Sequence, residues 1–315
     1  MVKYIIKRIA IALLVLLGIT VIDFALMQMI GNPMEIMAGG PRVSKEVLAV
    51  RAQQMGLDKP VWQQYFSWLG QVLQGNFGYS YKNHQPVWDQ IVSHLQPTLI
   101  LMTSALLLSL VIAVTAGIYS AVHQHEKGDY LIVTLAFLGQ SVPQFFMALL
   151  LIWVFAVKLG WLPSGGMRQL GSSDSSFSFR YLLLPMTVLA VEMAGRNIRY
   201  IRSSMLEILN RDYLKTAKGR GIGRFLLIYK HGLRNALIPI ITVIGMEIPV
   251  LFGGSIIIEQ VFSWPGLGLL TMDAVLSRDY AMIMAVALLS AVVVLTANLL
   301  TDILYALADP TVRYQ

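Results

Sequence analysis

Four acidic residues lie inside long apolar stretches of this 315-residue chain, and they are the residues best placed to do chemistry there: Asp23, Glu192, Glu247 and Asp302. Moving a carboxylate into hydrocarbon costs several kcal/mol. Each acid therefore needs either a cationic partner or access to water inside the protein. An acid of the second kind could take up a proton, a metal ion or the ammonium group of a substrate.

Two of the four acids fit a structural role. Glu192 precedes Arg196 by four residues, which is one turn of a helix, so the spacing predicts an ion pair between them. Asp302 lies near the end of its apolar stretch, where a carboxylate can cap a helix or pair with a cation. We therefore predict that Glu192, Arg196 and Asp302 stabilise the fold rather than bind a substrate.

The other two acids are candidates for a substrate path. Glu247 lies in the middle of its stretch, between Pro239 and Pro249, where the helix is expected to bend and to pack closely. It is therefore the strongest candidate for facing water. Asp23 lies about two turns from the outer end of its stretch, and the sequence leaves its role open.

Enzyme chemistry finds no support in the residue patterns. The chain has no cysteine, and the Gly-Lys dipeptide of a phosphate-binding loop never occurs. His123 and His125 are close in sequence, but two solvent-facing histidines rarely hold a metal, and we predict no metal site. No nucleophile is paired with a base. The chain is predicted to be a protein of transport or assembly that has no ATPase of its own.

The elements that carry these acids are predicted to be membrane helices. Hydrophobic residues make up 56% of the chain and charged residues 13%, about half the charge of a soluble domain. Six stretches reach or approach the ~20 apolar residues that span a bilayer. They are residues 9–30, 97–122, 131–157, 181–195, 236–258 and 281–308. The predicted fold class is an all-α polytopic membrane protein with six transmembrane helices.

The chain divides into three predicted regions. Residues 1–30 form the amino-terminal segment and first span, residues 31–96 an extracytoplasmic helical segment, and residues 97–315 a core with the other spans. Within the second region, residues 61–73 carry an apolar, aromatic helical face. This helix could lie at the headgroup level or on the bundle, or it could form the core of a small external subdomain. The sequence leaves these alternatives open.

The distribution of basic residues predicts the orientation of the spans. The net charge is +7, and ten of the 24 Lys and Arg lie between residues 196 and 235. Because loops rich in Lys and Arg stay in the cytoplasm, this segment and both termini are predicted to be cytoplasmic. The basic charge therefore belongs to one stretch beside the lipid surface, and no nucleic-acid partner is expected.

The cytoplasmic segment 203–235 contains a short amphipathic helix. Phe225, Leu226 and Tyr229 are its apolar residues, and Arg224 is one of its basic residues. A helix of this kind outside the bilayer must bury its apolar residues on lipid, on its own bundle or in a groove of a partner. The residues alone leave the three alternatives open.

Two blocks in and beside this segment resemble the cytoplasmic loop of membrane subunits of ATP-binding-cassette importers. They read Asp-Tyr-Leu-Lys-Thr-Ala-Lys-Gly-Arg-Gly at 212–221 and His-Gly-Leu-Arg-Asn-Ala at 231–236. Together with Phe-Ser-Trp-Pro-Gly-Leu-Gly at 262–268, they are similar to the first permease subunit of the dipeptide, oligopeptide and nickel family. The loop lacks the Glu and Pro of the general importer pattern, as is usual in this branch.

The resemblance implies the fold of a type I importer permease and a set of partners. These are a homologous second permease subunit, two ATP-binding cassette ATPases, an extracytoplasmic substrate-binding protein and membrane lipid. ATP and Mg²⁺ would be used by the ATPases, and this chain would bind no cofactor. The membrane would be the cytoplasmic membrane of a bacterium or archaeon. The residues implied in ATPase docking are Tyr213, Ala217, Gly221, Arg224, Phe225, Leu226, Tyr229, His231 and Arg234.

The implied function is ATP-driven import of di- or oligopeptides, or of nickel or another chelated metal, with this chain forming half of the path. The alternative from a different class is an ion-coupled secondary transporter that uses the intramembrane acids as proton or cation sites. Such a transporter would need no ATPase, and it would take up its substrate on a membrane gradient alone. The sequence does not decide among the substrates.

Overall fold

The computed structural model describes residues 2–30, 58–168, 177–212 and 255–308, and single positions at 53, 219, 223, 245, 247 and 251. Helices dominate these ranges, and the β-structure within them is a single bridge between Tyr79 and Pro86. Numbered in chain order, the helices are α1 Val2–Ile30, α2 Val61–Leu73, α3 Val87–Val122, α4 Lys127–Ser141, α5 Gln144–Leu151, α6 Phe179–Leu209, α7 Ile256–Val261, α8 Leu267–Leu276 and α9 Tyr280–Ala308.

Three long apolar helices agree with three of the predicted spans. The helices α1, α3 and α9 are long and apolar enough to cross a bilayer, and they cover the predicted first, second and sixth spans. The helix α3 begins at Val87, earlier than predicted. Pro97 lies inside this helix, where it removes one backbone hydrogen bond without ending the helix. The helix α3 therefore extends beyond its apolar stretch into the segment that is predicted to be external.

The predicted third span is two helices joined at a sharp bend. The helices α4 and α5 meet at 99°. Val142 between them is extended, with ψ 123°, because a residue before proline avoids the helical conformation. Pro143 itself has no N–H to continue the helical ladder. After α5 the chain continues as a π-helical turn, Ile152–Lys158. Pro143 is the sequence signal for this bend.

The predicted fourth span, residues 181–195, lies in the first half of a longer helix. The helix α6 runs on to Leu209 because polar side chains beyond the apolar stretch, such as Arg202, bond to other helices instead of meeting lipid. It packs mainly against α3 and also against α4. The predicted fifth span, residues 236–258, lies almost entirely outside the described residues, so the count of six spans stays a prediction.

Glycines allow α6 to approach its neighbours closely. A Cβ atom on Gly195 would lie 2.5 Å from the carbonyl oxygen of Ala136 on α4. A Cβ atom on Gly117 of α3 would lie 3.0 Å from the side chain of Ile201 on α6. Small residues at such crossings are how membrane helices bring their backbones together. The two glycines therefore set the spacing of the three central helices.

We expect Gly195→Ala to lower the thermal stability of the purified protein. The added methyl group would overlap a backbone oxygen, and overpacking of this kind costs about 1–3 kcal/mol. Gly18→Ala is the matched control, because nothing lies within 4 Å of the position of a Cβ atom there. Heating in detergent followed by size-exclusion chromatography measures both unfolding temperatures. Equal values for the two variants would contradict the close approach of α4 and α6.

The predicted helix 61–73 is confirmed as α2, and it packs along the carboxy-terminal half of α1. The hydroxyl groups of Tyr65 and Thr20 lie 2.9 Å apart. The rings of Tyr65 and Trp68 pack against Phe24. No residue of α2 is fully buried. Of the alternatives left open by the sequence, these contacts support a helix on the bundle over the core of a separate subdomain.

The helix α1 also packs against α9, at the other end of the described chain. Several large apolar side chains on its remaining surface are exposed, among them Leu13, Leu14 and Leu17. Exposed leucines in an apolar spanning helix are what a lipid-facing surface requires. The helix α1 therefore lies at the edge of the bundle, with α9 as its main helical neighbour.

Candidate functional site

Polar side chains gather around the bend between α4 and α5. Gln144, after the bend, donates a hydrogen bond to the carboxylate of Glu192 on α6. Arg199, about two turns further along α6, donates to the side-chain oxygen of Gln140, before the bend. Its guanidinium group also lies over the ring of Phe137, 4.6 Å from the centroid. We use the name polar belt for the polar residues of these contacts together with the ion pair Arg196–Glu247, which is described next. Its members are Gln140, Gln144, Glu192, Arg196, Arg199 and Glu247.

The ion pair of the polar belt joins α6 to a residue of the predicted fifth span. Nη2 of Arg196 lies 3.0 Å from Oε1 of Glu247. The side chain of Glu247 is 6% exposed and that of Arg196 is 49% exposed. The acid is therefore the inner member of the pair, and the guanidinium group is the member that meets the surroundings. That Glu247 lines the substrate path remains a prediction.

The predicted ion pair between Glu192 and Arg196 is not formed in the described structure. Both residues lie on one side of α6, but each bonds to another segment, Glu192 to Gln144 and Arg196 to Glu247. An ion pair between neighbouring turns of one helix is worth only a few tenths of a kcal/mol. Partners that packing holds in place beside α6 therefore take precedence over the local pair.

The polar belt is predicted to lie within the membrane, because a span needs about 20 residues, and one that begins at Tyr181 extends about five residues past the apolar stretch 181–195 and so includes Arg196. Arg202, near the end of α6 that is predicted to be cytoplasmic, is six residues from Arg196 and ten from Glu192. At 1.5 Å per residue these separations are about 9 and 15 Å, within a hydrocarbon core of about 30 Å. An exposed charge at this depth is too costly to face lipid. The exposed side of α6 at Arg196 and Tyr200 is therefore predicted to face water or another protein chain.

A second polar cluster joins α3, α4 and α6 at the end that is predicted to be cytoplasmic. Asp129 on α4 is buried, and its two oxygens accept 2.7 Å hydrogen bonds from Nε and Nη2 of Arg202. Ser120 of α3 donates to the same carboxylate, as does the backbone N–H of His125 at 3.0 Å. A two-pronged guanidinium–carboxylate contact fixes orientation as well as distance. We name Asp129 and Arg202 the inner ion pair.

A third polar cluster lies at the opposite end of the bundle, around Glu259. This side chain is fully buried. It accepts hydrogen bonds from the Thr98 hydroxyl at 2.9 Å and from the N–H of Leu269 at 3.0 Å. Leu269 is in the first turn of α8, whose dipole favours an anion at that end. The N–H of Leu267 in the same turn donates to the Thr98 oxygen at 2.7 Å. Glu259 thus caps α8 and joins it to α3.

The Phe-Ser-Trp-Pro-Gly-Leu-Gly block at 262–268 encloses this carboxylate. Trp264 is fully buried, and its Nε1 donates a 2.9 Å hydrogen bond to the carbonyl of Pro97. A Cβ atom on Gly266 would lie 2.5 Å from Cδ of Glu259. The loop can close over the carboxylate only because this position has no side chain. The block therefore has a structural explanation, which is to bury and cap Glu259.

The start of α9 is held by residues of the segment that is predicted to be external. Asp279 accepts hydrogen bonds from the Ser80 hydroxyl and from the N–H of Met282 at 3.3 Å, as an N-cap residue does. Burial, followed by the negative charge of Asp279, raises the pKa of the nearby Tyr81 hydroxyl. These contacts hold the segment that connects α2 to α3 against the beginning of α9.

The remaining predicted site residues are placed in part or not at all. Asp23 lies on α1, and its Oδ2 is buried without a hydrogen-bond partner in the described part of the chain. Asp302 lies on α9, but its side chain is outside the described structure. All nine predicted docking residues, from Tyr213 to Arg234, are also outside it. Within the described ranges, no group of three or more His, Asp or Glu side chains could hold a metal ion.

A long helix with an exposed arginine lies beside a bent pair of helices, an arrangement that transport permeases can use to line a polar path. Residues 113–314 match the family described as binding-protein-dependent transport system inner membrane component. Residues 1–103 match the description binding-protein-dependent transport system membrane component, N-terminal. The chain belongs to this family, the permease subunits of ATP-binding-cassette importers. Membership confirms the resemblance in the sequence, and it decides against an ion-coupled transporter.

Relatives of the chain match it from end to end. It is 42% identical over 318 residues to the oligopeptide transport system permease protein AppB of Bacillus subtilis (strain 168), with 100% of each chain covered. It is 37% identical over 316 residues to the glutathione transport system permease protein GsiC of Escherichia coli (strain K12), again with 100% of each chain covered. The chain is thus similar to whole permease subunits.

A solved structure of the MetNI methionine ABC transporter in an inward-facing conformation has a similar fold. The match has a TM-score of 0.57 at 18% identity, and it covers 70% of this chain and 96% of that chain. At this level of identity the likeness concerns the fold alone. It confirms the predicted permease fold. As a multi-pass permease, the protein resides in a cell membrane.

Proposed function

We propose that this permease forms half of the translocation path of an ATP-driven importer of peptides. The observation that carries the proposal is the full-length match to permeases whose names specify oligopeptides and glutathione, which is itself a tripeptide. The polar belt supports it, because a peptide brings charged ends and many hydrogen-bonding groups to mid-membrane depth. Nickel or another chelated metal is the other substrate class of this family, and the names of these relatives favour peptides.

The proposed complex contains a homologous second permease subunit, two ATP-binding cassette ATPases and an extracytoplasmic substrate-binding protein. The ATPases use ATP and Mg²⁺, and this chain binds neither. The membrane is the cytoplasmic membrane of a bacterium or archaeon. Both chain termini and the segment 203–235 lie in the cytoplasm, where Phe225, Leu226 and Tyr229 bury their side chains in a groove of an ATPase. Asp23 and Glu247 remain candidates for lining the path.

Helix α6 is the proposed mechanical connection between the ATPases and the path. It leads directly into the docking segment 203–235, and the inner ion pair fixes that end of α6 to α4. The helix α4 in turn leads to the bend at the polar belt. Closure of the ATPases around ATP would therefore reach the belt through α6 and α4 together, as a rigid-body movement that alternates access.

The proposed function is tested by reconstituting the four membrane-bound subunits in liposomes, with the binding protein on the opposite side from the ATPases. We expect uptake of a radiolabelled oligopeptide that requires both ATP and the binding protein. An ATPase variant that cannot hydrolyse ATP is the matched control. Uptake by the permease chain alone, driven by an ion gradient, would contradict the proposal and favour the ion-coupled alternative.

We expect Leu226→Asp to uncouple ATP hydrolysis from uptake in this system. Burying a carboxylate in an apolar groove without a partner costs more than about 1.4 kcal/mol. Peptide uptake should therefore fall at least about tenfold. Membrane insertion should be unchanged. Gln124→Asp adds the same charge to an exposed position of a different predicted cytoplasmic turn, and it should keep full uptake. Gly221→Asp offers a second variant within the docking segment. Full uptake by both docking variants would exclude the docking role.

A further inference from the structure

The exposed guanidinium group of Arg196 is the feature of the polar belt that the overall transport function leaves unexplained. Half of this side chain is exposed, and a charged group within a predicted span avoids lipid. Its described bond is a single contact, from Nη2 to Glu247. A guanidinium group carries five N–H donors in a planar fork. Within the described structure, the edge that does not face Glu247 is therefore available to a second acceptor.

The surroundings of Arg196 suit an anion that binds and leaves. Glu247 is buried behind the guanidinium group and anchors it from one side, which fixes the direction of the remaining donors. Because Glu247 already offsets part of the positive charge, a second carboxylate would be held less tightly than by an isolated arginine. A path requires binding that is strong enough for entry and weak enough for release. An anchored and partly neutralised arginine meets both conditions.

Arg199, the other arginine of the polar belt, is bound differently: both of its contacts are to α4, and neither of its partners is a carboxylate. The guanidinium group of Arg199 donates to Gln140 and covers the ring of Phe137, so two contacts on α4 hold it. Its partners are a neutral amide and an aromatic ring, and its role is to fix α6 to α4. The Nε of Arg199 also has no hydrogen-bond partner in the described structure, but it is buried. Of the two arginines of the belt, Arg196 is therefore the one with free donors on the exposed side of α6.

We propose that Arg196 binds the terminal carboxylate of a peptide as it passes α6, while Glu247 holds the guanidinium group in position. This inference rests on the proposed function, and it assigns the chemical group of the cargo that this subunit recognises. A carboxylate is planar and matches the guanidinium fork with two parallel hydrogen bonds. A carboxamide at the same end of the peptide carries no charge and cannot match the fork with two acceptors.

The test compares one oligopeptide in two forms, with a free carboxylate and with a carboxy-terminal amide. Both are supplied to the complete reconstituted importer at concentrations that saturate the binding protein, so that the rates report transport after delivery. Arg196→Gln should lower uptake of the free acid at least about tenfold, because it removes the charge-assisted hydrogen bonds to the carboxylate. It should change uptake of the amide less than about twofold. Arg196→Lys keeps the charge without the fork, and it should lie between the wild type and Arg196→Gln.

Arg180→Gln is the matched control, because Arg180 is also an exposed arginine of α6 and donates to a backbone carbonyl, that of Trp161. Arg180→Gln should not alter the ratio between the uptake rates of the free-acid peptide and the amide peptide. Equal losses for both peptides in Arg196→Gln and Arg196→Lys, or no loss for either, would overturn the carboxylate role and leave the proposed function standing. Absence of ATP-driven uptake of both peptides by the wild-type complex would instead refute the proposed function.

Discussion

Asp129→Ala is expected to lower the free energy of unfolding by about 3–5 kcal/mol, because it removes one member of a buried ion pair and leaves the other charge uncompensated. Arg202 would keep its guanidinium group where it now makes two 2.7 Å hydrogen bonds. The hydroxyl of Ser120 and the N–H of His125 would lose the same acceptor. The contact between α4 and α6 would weaken at the end that leads to the docking segment.

The unfolding midpoint in detergent measures this loss, with Arg211→Ala as the control. Arg211 and Glu207 form an exposed ion pair at the same end of α6, and removing such a pair costs about 0.3–0.5 kcal/mol. The double variant Asp129→Leu with Arg202→Met should recover much of the loss, since an apolar pair can replace a buried ionic one. A loss no larger than that of Arg211→Ala would show that the inner ion pair does not stabilise the fold.

Glu259→Ala is expected to lower the free energy of unfolding by about 3–4 kcal/mol. The substitution leaves a cavity where a fully buried side chain stood, and it removes the acceptor of the Thr98 hydroxyl and of the Leu269 N–H. A buried donor without an acceptor costs about 1–3 kcal/mol. The negative charge at the start of α8 is lost as well. The loop of residues 262–268 would then close over an empty space.

Glu259→Gln separates the contribution of the charge from that of the side-chain volume. The amide keeps the shape and one acceptor oxygen, so we expect a smaller loss of about 1–2 kcal/mol, the difference between hydrogen bonds to charged and neutral groups. Glu207→Ala removes an exposed carboxylate and should be nearly neutral. The same unfolding measurement ranks the three variants. If Glu259→Ala were as stable as Glu207→Ala, the capping of α8 would not be a source of stability.

Hydropathy predicted the course of the membrane helices well. Lipid acts on each residue of a span separately, so the apolar stretches of α1, α3 and α9 could be found by counting. The bend at Pro143 escaped this count because a run of apolar residues is equally compatible with one straight helix and with two bent ones. Family membership could be inferred because the blocks at 212–221 and 262–268 are contiguous in sequence.

The polar contacts could not be predicted in the same way. Asp129 and Arg202 are 73 residues apart, and no periodicity connects them. Glu259 lies one residue beyond the predicted fifth span, where a charge needs no explanation, and only the folded loop of residues 262–268 buries it. The spacing of Glu192 and Arg196 pointed to a local pair. Packing of α6 against the bend at Gln144 gave Glu192 a different partner.

The contact between α1 and α9 has a consequence for how the protein is made. The two helices lie at opposite ends of the described chain, so α1 enters the bilayer long before its main helical neighbour leaves the ribosome. At roughly 5–20 residues per second, this interval is on the order of tens of seconds. During that time α2 is a described neighbour of α1 that has already been made. A chain whose synthesis stops before α9 therefore leaves α1 without the helix it packs against in the finished protein.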